Sequence, residues 1–194
     1  MANDNDVDQV SPCITSSSKF GDESKKCNET TLPASTYSIG EMADRLAIYD
    51  LYERYVHAID DHQLDVLDSI FLPQTFFDMT SLDHGTFTWK NGMRDDIKNN
   101  WHKFVVYFHI CGSIRITFDN EERSSAHVKS KTVNPIGISN DDGGIDVVLA
   151  FGGYADILIK TDTGWRITSR RWDTALHIGG LKYLEGSGGT LDKR

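Results

Sequence analysis

The chain has 194 residues, 39% hydrophobic and 25% charged, which suits one soluble domain with a real core. A net charge of −9 argues against nucleic acid or an anionic membrane as the main partner, because both select basic surfaces. No apolar run approaches the 18 or so residues of a membrane-crossing helix, and the three cysteines form no CxxC pair, which excludes a disulfide framework or zinc knuckle.

Residues 1–36 are rich in Ser, Asp, Asn, Lys and Thr, and their few large apolar residues cannot offset the entropy of ordering. A disordered tail is expected there. Its opening, MANDNDVDQV, lacks the apolar segment of a secretory leader, so a reducing, cytoplasmic setting is expected. A domain over 37–180 and a flexible C-terminal tail over 181–194 complete the expected layout.

Ser38 with Glu41 three residues on is a capping-box signature, and it opens a helix over 39–60. Ile48, Tyr52, Tyr55 and Ile59 recur at helical spacing, as do Met42, Leu46 and Tyr49. LDVLDSIF predicts a second, short helix stopped near Pro73. TFFDM and GTFTWK read as short strands, and NGMRDDIKNNWHKF as a third helix. Four long strands follow, near 105–119, 123–137, 144–161 and 164–177, with NDDGG and TDTG as hairpin turns. Strands that long must bend, and Gly112, Pro135, Gly152 and Gly153 are the expected bulge positions. The fold class is therefore α+β: a cone of three N-terminal helices packed in a strongly curved antiparallel sheet, with an open mouth suited to a ligand.

His109 stands out within YFHICGSIRI, an imidazole on an otherwise apolar strand. If it faces the cavity and no bulge intervenes, Phe108, Ile110, Ile114 and Ile116 face outward and call for a partner subunit, giving a homodimer or homotrimer. A bulge at Gly112 would turn the later residues inward.

The order RLAIYDLYERYVHAIDDHQLDVLDSIF, then FHICGSIRI, then GWRITSRRW resembles the SnoaL-like branch of the NTF2-like superfamily, across residues 37–180. That resemblance implies a cofactor-free, metal-free lyase or isomerase of the dehydratase or cyclase type. Its substrate would be a hydrophobic, oxygenated cyclic metabolite, with secondary metabolism as the setting. It implies Asp60 and His109 as a pair in which the carboxylate orients an imidazole base, with Tyr55 assisting. The chemistry is coherent: a carboxylate fixes the tautomer and supports the imidazolium, and an ordinary imidazole pKa of about 6.5 suits a base near neutrality. Asp61 is the competing acid, but neighbouring helical positions point about 100° apart, so only one shares the buried face. Tyr52 and Trp89 are expected to line the pocket. His127 or Asn134 matches a second polar position of the family, and Arg171 is the expected inward arginine of the last strand, with Arg170 the other choice. His57, His62, His84 and His102 have no partner at metal-ligand spacing.

Overall fold

The computed structural model describes residues 37–82 and 84–179. Helix α1 (Ile39–Asp60) starts where Ser38 Oγ accepts the Glu41 N–H, as the capping box predicts. Helix α2 (Leu64–Asp68) leads to strands β1 (Phe71–Asp78) and β2 (Thr86–Thr88). Helix α3 (Met93–Asn100) runs through a 3₁₀ turn at Trp101–Lys103 into β3 (Phe104–Tyr107). Four long strands complete the chain: β4 (Ile110–Phe118), β5 (Ser125–Ser139), β6 (Ile145–Thr161) and β7 (Gly164–Ile178). The sheet order is β2-β1-β7-β6-β5-β3, with β4 also on β5. This is the expected α+β cone. The tails expected over 1–36 and 181–194 fall outside the described residues. No described helix is long and apolar enough to cross a membrane.

Several boundaries depart from expectation, each for a physical reason. The second helix stops at Asp68, and Pro73 lies within β1. The β1–β7 ladder is irregular between Phe71 and Phe76, so the missing proline N–H leaves no gap in it. That ladder is also parallel in an otherwise antiparallel sheet. The long strand expected over 105–119 is interrupted at Phe108 and His109.

Of the two apolar stripes on α1, one carries the core: Ile48, Leu51, Tyr52, Tyr55 and Ile59 are all buried. Ile39, Met42, Leu46 and Tyr49 stay exposed, although Met42, Leu46 and Tyr49 recur at the same helical spacing. A helix laid against a sheet buries one stripe only. The edge of β4 lies alongside the other, where Tyr49 Oη donates to the Ile114 carbonyl at 3.1 Å.

The expected bulge on β4 is present. Its pairing with β5 slips between Gly112 and Arg115, and Ser113 adopts a φ of 50°. One extra residue flips the side-chain alternation. Phe108 and Ile110 therefore face outward, while Ile116 is buried and Ile114 packs on the core. The outward set Phe108, Ile110, Ile114 and Ile116 is corrected to its first two members.

Candidate active site

Asp60 is the last residue of α1. The helix ends there because the Asp61 N–H closes the final turn on the His57 carbonyl, after which His62 turns the chain with a φ of 60° and stacks on Trp101. His109 lies in the gap between β3 and β4. Phe108 keeps the strand line by donating its N–H to the Pro135 carbonyl, but the His109 N–H leaves the sheet and donates to Asp60 Oδ2 at 2.8 Å. Its Nδ1 meets Asp60 Oδ1 at 2.6 Å. Both carboxylate oxygens thus hold one residue, by backbone and by ring. An ionised carboxylate only accepts, so the proton of a neutral imidazole sits on Nδ1, and Nε2 is left as the basic atom.

Both side chains are largely buried, His109 at 6% exposure and Asp60 at 17%. They line a groove of about 240 Å³ with Glu53, Val56, His57, Phe108, Ile110 and Cys111. Burial pushes the Cys111 thiol up, with the Ser130 hydroxyl pulling the other way, so it stays protonated and is no ready nucleophile. Asp61, the competing acid, is exposed. Among the described residues, no three His, Cys, Asp or Glu side chains converge to hold a metal.

Tyr55 is buried and turns a ring edge to His109, with centroids 6.3 Å apart. Its hydroxyl pairs with that of Tyr154 at 3.0 Å, deeper in the cone. Burial raises the Tyr55 phenol despite the opposing pull of Arg170, so it remains a donor. Tyr52, expected to line the pocket, is buried with its hydroxyl on Asp156 at 2.5 Å. Trp89, likewise expected there, packs against Phe71 and Phe77 and donates to Asp68 at 2.8 Å. Neither lines the groove around His109, and nor does Tyr55, which lies behind it against the His109 ring.

The strand register also sorts the remaining assignments. Arg171 points outward and pairs with Asp173 at 2.7 Å, its side chain 54% exposed. Arg170 is the inward arginine. It is 1% exposed, forked onto Asp156 and stacked 4.2 Å over Tyr55 and 3.9 Å over Tyr154. Burial disfavours its charge, but the Asp156 carboxylate more than compensates and keeps it a cation. Its Nη1 is buried without a hydrogen-bond partner. His127 lies outward, its side chain 59% exposed beside Asp119 at 3.2 Å, whereas Asn134 is buried with an unpartnered Oδ1.

Two inward groups escape sequence reasoning. Asp156 carries no motif, and only its place opposite Arg170 reveals it. His177 faces inward with a buried, unpartnered Nε2, and burial alone pushes its imidazole down. In ALHI it reads as an ordinary strand end.

Comparison with known proteins agrees with this architecture. The family description "SnoaL-like domain" matches residues 40–171. An uncharacterized protein of Mycobacterium tuberculosis (strain ATCC 25618 / H37Rv) is 30% identical over 141 residues, covering 72% of this chain and 90% of the relative. Among solved structures, a candidate scytalone dehydratase of Novosphingobium aromaticivorans superposes with a TM-score of 0.64 at 16% identity, covering 72% of this chain and 89% of the other. A hexachlorocyclohexane dehydrochlorinase of Novosphingobium barchaimii superposes with a TM-score of 0.59 at 18% identity, covering 73% and 92%.

Proposed function

The chain belongs to the SnoaL-like domain family, and from that footing we propose a cofactor-independent lyase or isomerase, of the dehydratase or cyclase type, for a hydrophobic, oxygenated cyclic metabolite. The observation that carries this reading is the grip of Asp60 on His109, one oxygen on Nδ1 at 2.6 Å and the other on the backbone N–H at 2.8 Å. A merely structural histidine needs one partner. Here the ring is held so that its second nitrogen is the basic one, beside a groove.

His109 Nε2 takes a proton from carbon next to a carbonyl or a leaving group. Asp60 holds the tautomer and stabilises the imidazolium that results. Tyr55, a phenol kept protonated by burial, polarises the carbonyl or assists a departing hydroxide. Arg170, in place of Arg171, is the arginine of the site: its free Nη1 meets negative charge that develops on oxygen. Asp156 already neutralises it, which favours a neutral substrate over a carboxylate. The names of the two structural neighbours, a dehydratase and a dehydrochlorinase, belong to the same class of proton-removing eliminations. The setting of secondary metabolism belongs to this proposal as well.

The test does not require the natural substrate. Cyclic ketones such as 1-tetralone are incubated in D2O, and exchange of the proton α to the carbonyl is followed by NMR. The native chain should accelerate exchange, and His109→Gln and Asp60→Asn should each remove about 10²–10⁴ of the acceleration. Normal exchange in both folded variants would leave a binding module of the same fold as the better reading.

A further inference from the structure

Helix α1 carries five acidic residues, and four of them are held. Glu41 pairs with Arg45 at 2.8 Å and Asp50 with Arg54 at 2.9 Å. Asp44 meets Lys160 and Arg123, and Asp60 grips His109. The fifth, Glu53, has no hydrogen bond or ion pair among the described residues. It is exposed, and it lines the same groove as His109.

The sequence explains why Glu53 stands alone. Three and four residues away, where helical neighbours meet, stand Tyr49, Asp50, Val56 and His57, none of them a lysine or arginine. Arg54, next in the chain, turns to Asp50 and Ser69 instead. Across the groove the strand wall is Phe108, Ile110 and Cys111. Burial is the largest upward push on the Cys111 thiol, and the charge of Glu53 adds to it, so the carboxylate is felt on the opposite wall. No lysine or arginine is among the residues that line this groove. Arg170, the buried cation of the interior, is matched by Asp156. A carboxylate that faces an apolar wall with no counter-charge attracts a cation more strongly than one in open water.

We propose that Glu53 seats a protonated amine of the ligand, so that the groove selects a hydrophobic cyclic ketone with a basic nitrogen at its far end. This deepens the reading of His109 as the base and rests on it for the ketone. Seven residues, or about 10 Å along the helix, separate Glu53 from Asp60. The groove of about 240 Å³ is smaller than the ~300–1,000 Å³ of sites for drug-sized ligands, which suits one ring with a short arm. The same charge repels a carboxylate or a phosphate, so acidic ligands are disfavoured.

Calorimetry with three para-substituted acetophenones of nearly one shape tests it. Their substituents are dimethylaminomethyl, isobutyl and carboxymethyl, which make a cation, a neutral molecule and an anion. Each affinity is read relative to the isobutyl probe, which removes any change in groove shape. The native chain should favour the cation over the anion roughly 10-fold, one attraction and one repulsion together. Added salt should shrink that ratio. Glu53→Gln should bring it to about 2 or less, and Glu53→Lys should invert it. Both changes lie on an exposed helical face and keep good helix formers there, so the fold should survive them. A native chain that binds none of the probes or ignores the sign of their charge overturns the proposal, and so does a ratio that survives Glu53→Gln. His109→Gln separates the two readings: it should stop exchange of the acetyl protons in D2O and keep the charge ratio. Exchange that persists there would sink the base reading and leave the ammonium site standing.

Discussion

Helix α1 carries one buried aspartate and one part-buried aspartate, 16 residues or about 24 Å apart, and they serve opposite ends. Asp44, 4% exposed, sits near the start of the helix and accepts from Lys160 at 2.5 Å, Arg123 at 2.9 Å and the Trp165 indole at 3.3 Å. Asp60 has one residue as its partner, held by both its backbone N–H and its ring Nδ1. A carboxylate fastened by permanent cations joins a helix, a turn and two strands. A carboxylate fastened to an imidazole beside a groove suits the proton transfer proposed above. The number and kind of partners, more than burial, separates structure from chemistry on this helix.

The comparison can be broken at either end. The largest effect should come at the open end: the double variant Asp60→Asn/His109→Gln should lose about 10²–10⁴ in exchange rate, little more than either single change, because the two act as a unit. Its melting temperature should fall by only a few degrees. Asp44→Asn should do the reverse, costing about 2 kcal/mol of stability in a urea titration and leaving exchange per folded molecule unchanged. Lys160 and Arg123 can turn to solvent, which limits that cost.

Acid sharpens the same contrast. Burial alone would raise the Asp44 carboxyl, but Lys160, Arg123 and Trp165 together hold it below its ordinary value. A group lowered by folding contributes fully above its unfolded pKa of about 4, and that contribution is lost as pH falls through the folded value. Native stability should therefore drop below about pH 4 by more than in Asp44→Asn, as melting curves across pH will show. His84 has the opposite sign: hydrogen bonding to Asp96 raises it against the desolvation of its partial burial, so its small contribution is present below about pH 6.5 and fades as pH rises. The smallest effect is expected from Asp61→Asn, with exchange within about twofold and stability within ~0.5 kcal/mol, because Asp61 is exposed and caps α1 through its backbone.

Much of this architecture is legible in the order of the residues alone. Helical spacing of Ile48, Tyr52, Tyr55 and Ile59 marks the buried stripe, and the glycines at 112 and 152 mark where long strands slip register. Asp60 and His109 are legible through family resemblance, and the fold brings them into contact. Arg170 and Arg171 are not separable from sequence, because alternation gives the phase only between bulges and β7 slips against β6 at Ile157–Leu158. His177 is invisible for a related reason: its burial follows from pairing across the sheet, and no local pattern contains that pairing. Met42 and Leu46 mislead because spacing shows that a helix has an apolar stripe, and only packing shows which stripe is covered.

The contacts of α1 along β4 reach beyond this fold's own stability. β4 pairs with β5 alone, so its other edge presents carbonyls to any passing strand. Tyr49 takes the Ile114 carbonyl at 3.1 Å, and Arg45 takes that of Ile116 at 3.3 Å. Two side chains of the helix thus occupy the positions where a foreign strand would begin to add. Their loss would barely alter the folded monomer, yet it would open a template for strand-by-strand growth. On this edge of β4, a tyrosine and an arginine stand where a further strand would pair.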